Sequence, residues 1–122
     1  MIQTTLCYIE QDDKYLMLHR IKKKNDINHD KWIGIGGKFE ADESPYDCVI
    51  REMREETGLN PLSLEYRGVV TFICSGAPSE MMHLFVCKKT EGVMNEFCEE
   101  GELAWIKKDD LYQLTLWEGD KI

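Results

Sequence analysis

The sequence predicts an α+β domain in which a mixed sheet carries one strong helix. Three observations lead there. Apolar and β-branched runs open the chain at residues 4–10 and 15–20, a single well-capped helix follows from Ser44, and β-type runs return at 64–74, 81–89 and 102–106. With 122 residues, 43% of them hydrophobic and 10% aromatic, the chain can enclose one core but not two. One domain is therefore expected over residues 1–122.

The first two runs, TTLCYIE and YLMLHR, are separated by the polar Gln11-Asp12-Asp13-Lys14 and read as a hairpin. From 21 to 31 the chain turns polar and basic, with Lys22, Lys23 and Lys24 in succession. Trp32-Ile33-Gly34-Ile35-Gly36-Gly37 then places three glycines in four positions, a loop whose backbone must approach something closely. Ser44 suits an N-cap, Pro45 the first helical position and Asp47 the positive end of the helix dipole, while Gly58 is placed to end the helix. Tyr46, Val49 and Met53 recur at three- or four-residue intervals and are expected to form its buried stripe. Gly76-Ala77-Pro78-Ser79 reads as the turn between the next two strands, and 109–114 as the start of a short helix.

A formal net charge of −8 argues against a surface that holds nucleic acid by neutralising its phosphates, which needs Lys and Arg in excess. A phosphate-bearing ligand remains open to such a chain if metal ions supply the positive charge. Cys7, Cys48, Cys74, Cys87 and Cys98 contain no CxxC pair, and their odd number leaves at least one unpaired. Reduced thiols and a cytoplasmic setting are expected. No apolar run approaches the roughly 20 residues of a membrane span, and no signal-peptide layout opens the chain, so no membrane partner is expected. A monomer or a homodimer is compatible with this composition.

The stretch from Gly37 to Leu59, GKFEADESPYDCVIREMREETGL, carries the chemistry. On a helix advancing about 100° per residue, Glu52, Glu55 and Glu56 fall at i, i+3 and i+4, so three carboxylates share one face. Like charges at these spacings repel by about 0.2–0.5 kcal/mol per pair, and a divalent cation removes the penalty. Oxygen-only ligands favour a hard ion, Mg²⁺ where substrate phosphates complete the shell. The competing reading is a solvated helix face with Arg51 and Arg54 as ion-pair partners. A glycine loop and Glu43 at fixed spacing ahead of the helix favour the metal site, since a solvated face needs neither.

Gly37, Glu43 after five intervening residues, Arg51-Glu52 after seven more, then Met53, Glu55-Glu56, Gly58 and Leu59 reproduce G-x5-E-x7-R-E-U-x-E-E-x-G-U, with U apolar. In this the chain resembles the Nudix hydrolase family. The resemblance implies a mixed sheet sandwiched by helices in α/β/α layers, with a catalytic loop-helix-loop at 37–59. It implies Mg²⁺, with Mn²⁺ as a substitute, and attack of water on a phosphorus atom within a polyphosphate. Glu52, Glu55 and Glu56 are then the expected ligands, and Gly36 and Gly37 bring loop backbone toward the metal. Arg51 would fix the glutamates, with Glu43 as its partner. Glu100 occupies the place of a further acid, ligand or general base, with Glu99 as an adjacent competitor. The base itself stays open among Glu55, Glu56 and Glu100.

Beyond this motif, residues 15–20, 31–38 and 116–120 are similar to the MutT-type subgroup, which hydrolyses oxidised purine nucleoside triphosphates such as 8-oxo-dGTP to monophosphate and pyrophosphate. Trp117 and Asp120 match positions that stack on or hydrogen-bond the purine there, and Phe72 is a candidate pocket wall. Arg20, Lys23 and Lys38 are the cations placed to meet phosphates, and Trp32 is expected to pack. Ile33 stands where some oxidised-purine hydrolases carry a base-contacting Asn. The chain stops at Ile122, where those relatives continue into a further apolar helix. Two alternatives remain: a Nudix pyrophosphatase for another derivative, such as ADP-ribose or a dinucleoside polyphosphate, and a non-catalytic nucleotide-binding module.

Overall fold

Alternating β-branched and apolar residues build the sheet outward from its first hairpin. In the computed structural model, which describes residues 1–20, 31–73, 75–76, 78–95, 97–98 and 101–113, β1 spans Ile2–Gln11 and β2 spans Lys14–Arg20. They pair antiparallel with Gln11 opposite Lys14, and Asp12 closes the turn at a φ of 56°, which an Asp tolerates better than most side chains. The remaining elements are β3 (Lys31–Ile33), α1 (Pro45–Thr57), β4 (Asn60–Pro61), β5 (Glu65–Phe72), β6 (Glu80–Cys87), β7 (Thr90–Glu91), β8 (Phe97–Cys98), β9 (Gly101–Lys107) and a 3-10 turn at Lys108–Gln113.

Seven strands form one mixed sheet in the order β5-β6-β1-β2-β9-β8, with β3 alongside β2, while β4 and β7 make a separate ribbon. β1 and β6 run parallel, with Thr4 beside Met82 and Leu6 beside Leu84, which requires the chain between them to cross over. α1 lies in that crossover and is the one α-helix among the described residues. None of the described helices is long and apolar enough to cross a membrane.

The core sits between α1 and one face of the sheet. Val49 and Met53 of the helix meet Cys7 and Ile9 of β1, Leu16 and Leu18 of β2, Phe85 and Cys87 of β6, and Ile35. Leu6 and Met17 are also buried, but alternation along the strands turns them to the opposite face and they stand outside this cluster. The sheet is therefore covered on both sides at its centre.

The helix begins and ends where its caps require. Ser44 Oγ accepts the Asp47 N–H at 3.1 Å and Asp47 Oδ2 accepts the Ser44 N–H at 3.2 Å, a reciprocal capping box. Gly58 ends it at φ 79°, in the left-handed region, and donates its N–H to Arg54 O. One expectation is corrected: Tyr46 is 46% exposed and sets its ring edge against Phe85, ring centroids 5.0 Å apart. The stripe runs from Cys48, Val49 and Met53 to Glu56 and Thr57 instead, because i+7 and i+8 from Val49 return to its face.

Candidate active site

The glycine loop is a third partner of β1. Thr5 N–H donates to Gly37 O at 2.9 Å, Cys7 N–H to Ile35 O at 2.6 Å, and Phe39 N–H to Gln3 O at 3.1 Å. The approach is close enough that a Cβ at Gly36 would fall 2.0 Å from Thr5 O, and one at Gly37 would fall 2.7 Å from Glu52 Oε1. What the three glycines admit is thus β1 backbone on one side and a helix carboxylate on the other.

Carboxylates gather beside that loop, and one arginine pairs with four of them, Glu40 at 3.4 Å the most distant. Arg51 donates Nε to Glu43 Oε2 at 2.6 Å and Nη2 to Glu43 Oε1 at 2.9 Å, a bidentate fork. Its Nη1 reaches Glu52 Oε1 at 2.9 Å and Glu55 Oε2 at 3.2 Å, and Nη2 also donates to Lys38 O at 3.0 Å. Arg54 turns away to Asn60 Oδ1, so it is not the second ion-pair partner of a solvated face. Glu56 stands apart from the arginine: it is 4% exposed, and its Oε2 accepts the Gly36 N–H at 3.0 Å. Glu55 is the exposed one of the set, its side chain 58% accessible.

The electrostatics follow from these contacts. Hydrogen bonds from Arg51, then the Glu40 N–H, hold the Glu43 carboxyl down at about 2 against an ordinary 4.5. The same bonds, Glu43 first, raise Arg51 beyond its already high value. Beneath the loop lies Cys48, fully buried, its Sγ 3.7 Å from Gly37 O, 3.6 Å from Lys38 O and 3.4 Å from Thr5 Oγ1. Burial pushes this thiol up, so it stays protonated and packs as a small hydrophobe with a weak donor. Sequence reasoning passed over Cys48 and Thr5; the only available signal was that Cys48 sits one helical turn before Arg51.

The other expected residues fall in different places. Arg20 pairs with Gly101 across β2 and β9, and a Cβ at Gly101 would lie 1.8 Å from His19 O, so that residue has to be glycine. Phe72 shares a register row with Glu80 and Ile2, on the sheet face opposite α1. Lys38 is exposed, and it is its carbonyl that serves Arg51. Trp32 packs as expected, its ring stacked on His19 with centroids 4.4 Å apart and planes 2° apart. Ile33 packs against the α1 side of the core. Lys23, Glu99, Glu100, Trp117 and Asp120 lie outside the described residues. Among the described residues, no three His, Cys, Asp or Glu side chains close around one point as a metal cage. Two of the three helix carboxylates turn to Arg51 instead.

A model of the NUDIX domain family matches residues 2–122. The chain belongs to the Nudix family. An uncharacterized Nudix hydrolase of Bacillus subtilis, YvcI, is 37% identical over 122 residues, covering 97% of this chain and 73% of that protein. The mouse oxidized purine nucleoside triphosphate hydrolase is 32% identical over 99 residues, covering 80% of this chain and 63% of the relative, so the chain spans under two thirds of that protein's length. Among solved structures, the mutator MutT protein of Bacillus halodurans superposes with a TM-score of 0.84 at 32% identity, covering 99% of this chain and 78% of that one. This Nudix chain is a pyrophosphohydrolase-type enzyme with MutT-type relatives, in a family that generally uses divalent metal ions.

Proposed function

We propose that this Nudix hydrolase acts in the cytoplasm on nucleoside triphosphates, releasing monophosphate and pyrophosphate, with oxidised purines such as 8-oxo-dGTP preferred and Mg²⁺ as the ion. The observation that carries the chemistry is the Arg51 cluster against the glycine loop. Arg51 pairs with Glu43, Glu52, Glu55 and Glu40, and Glu56 stands beside them on the Gly36 amide, so among the described residues the carboxylates here outnumber the one guanidinium and offer oxygen donors alone. That donor set fits a hard divalent cation. Glu56, Glu52 and Glu55 would hold it, with Glu100 and the Gly36–Gly37 backbone completing the site. When bound, the ion supplies Lewis acidity and an acidified water.

The chain's own residues do the rest. Glu43 locks Arg51, and Arg51 keeps Glu52 and Glu55 together at one end of the helix. The Gly36 N–H orients Glu56. Glu55, open to solvent, is the carboxylate able to take a proton from water. Arg20, Lys23 and Lys38 would meet phosphate oxygens, and Phe72, Trp117 and Asp120 the base. The relation to the mouse oxidized purine nucleoside triphosphate hydrolase supports the base preference.

A second reading, hydrolysis of another derivative such as ADP-ribose or a dinucleoside polyphosphate, is favoured by Ile33, which is partly buried against the core and whose side chain offers no polar edge to a base. A non-catalytic module is disfavoured because the motif retains every glutamate. The deciding experiment compares kcat/KM for 8-oxo-dGTP, dGTP, ADP-ribose and a dinucleoside tetraphosphate with Mg²⁺. We expect 8-oxo-dGTP to exceed dGTP by at least about tenfold, the discrimination that one or two base contacts provide. Equal values across the panel would sink the sanitising assignment.

A further inference from the structure

Thr4 holds a buried polar atom to which none of the described residues offers a hydrogen bond. The residue is 7% exposed, and its Oγ1 is buried without a hydrogen-bond partner. Native structures satisfy nearly all such groups, because hydration lost on burial is otherwise not recovered. A valine has nearly the same shape and would avoid the loss, so the hydroxyl calls for an explanation.

Its place in the fold supplies one. Thr4 is the neighbour of Thr5, whose N–H holds Gly37 O and whose hydroxyl meets Cys48 on the α1 side. Strand alternation turns Thr4 to the other face, where Lys38 bridges it along the loop and Met82 stands beside it in register on β6, with Val70 beyond on β5. Leu6 and Phe72 share that face. Gly34 closes over it: a Cβ there would lie 3.1 Å from Leu6 Cδ1. Leu6, Met82, Val70 and Phe72 give this face an apolar stretch between Lys38 on the loop and Glu80 in the Phe72 row, and it adjoins the loop that meets Glu56 and Glu52. Met82 is unbranched with three rotatable bonds, a side chain that yields readily to a ligand. Apolar walls with a few fixed polar groups are how proteins orient flat, partly polar ligands.

We propose that the Thr4 hydroxyl is a specificity-determining contact, hydrogen-bonding a polar atom of the nucleoside part of the substrate and lacking a partner until substrate arrives. A hydroxyl can donate once and accept twice, so it pairs with a base edge or a sugar hydroxyl alike. The ligand class rests on the nucleotide-hydrolase reading above; the unpaired atom and its position do not.

The test is a pair of variants measured for both stability and kinetics. Thr4→Val keeps the shape and removes the unpaired group. It should melt no lower than wild type, yet raise KM about three- to tenfold, with kcat within about twofold, on whichever member of the four-nucleotide panel the wild type cleaves best. Thr4→Ser should restore KM. A Thr4→Val enzyme with unchanged KM overturns the proposal, as does a Thr4→Ser enzyme with the same loss. A Thr4→Val protein that melts lower also overturns it, since the hydroxyl would then have a partner in the free enzyme. The wild-type panel separates this from the oxidised-purine reading: preference for another nucleotide removes that reading and leaves Thr4 to be tested on the nucleotide preferred. A wild type that cleaves none of the four overturns both.

Discussion

Arg51 spends its donors on both oxygens of Glu43, on Glu52 and Glu55 together, and on the Lys38 carbonyl. A lysine, with one compact ammonium, could not reproduce that planar fork. The arrangement separates two kinds of glutamate. Glu43 serves the arginine, whereas Glu56 faces the loop amide of Gly36. Glu56→Gln should therefore lower kcat by at least about 10², the scale of losing one transition-state electrostatic element, with circular dichroism unchanged. Near-normal turnover would remove Glu56 from the metal site. Glu43 makes a different prediction. Its carboxyl is held at about 2 in the folded protein against an ordinary 4.5, so between those values the unfolded chain binds the proton more readily. The stability it contributes is fully present above about 4.5 and is lost as pH falls through about 2. Thermal denaturation from neutral pH down to 2 should show wild type and Glu43→Gln converging at the acid end; parallel curves would contradict the pairing.

Among the elements, α1 was the most legible because its signals are local. Ser44, Pro45 and Gly58 lie within a residue or two of the groups they cap, so their effect survives without tertiary context. Ser44→Ala should cost about 1 kcal/mol in urea denaturation while leaving KM unchanged, since the cap touches no substrate group. A loss of activity at full stability would place Ser44 in the site. The hairpin of β1 and β2 was legible for the same reason. β3, β4 and β7 were not: at two or three residues they are too short for a periodicity, and they form because a neighbouring backbone offers free ladder positions. Tyr46 was misplaced by counting intervals from the helix start, where the buried face is set by how the helix lies on the sheet.

On the scale of the molecule, a chain of net charge −8 gathers Glu40, Glu43, Glu52, Glu55 and Glu56 around one guanidinium and one glycine loop. Native-state repulsion of that kind is relieved by whatever cation binds there. Millimolar Mg²⁺ should raise Tm by mass action, by about 2.7 kcal/mol of stability at one hundred times its Kd, whereas K⁺ at equal ionic strength should not. Glu56→Gln should abolish most of the difference. An identical response to both ions would leave only screening.

The sequence by itself determined the capped helix, the spacing of Glu43, Arg51, Glu52, Glu55 and Glu56, and hence the kind of chemistry, because those relations lie within a few helical turns of one another. Only the tertiary structure decided that the glycines admit β1 backbone and Glu52, that Arg51 holds Glu55 and Glu52 apart from Glu56, and that Thr4 is buried without a partner. Those facts depend on β1 lying between β2 and β6, parallel to one and antiparallel to the other, a pairing across some eighty positions that no local pattern encodes.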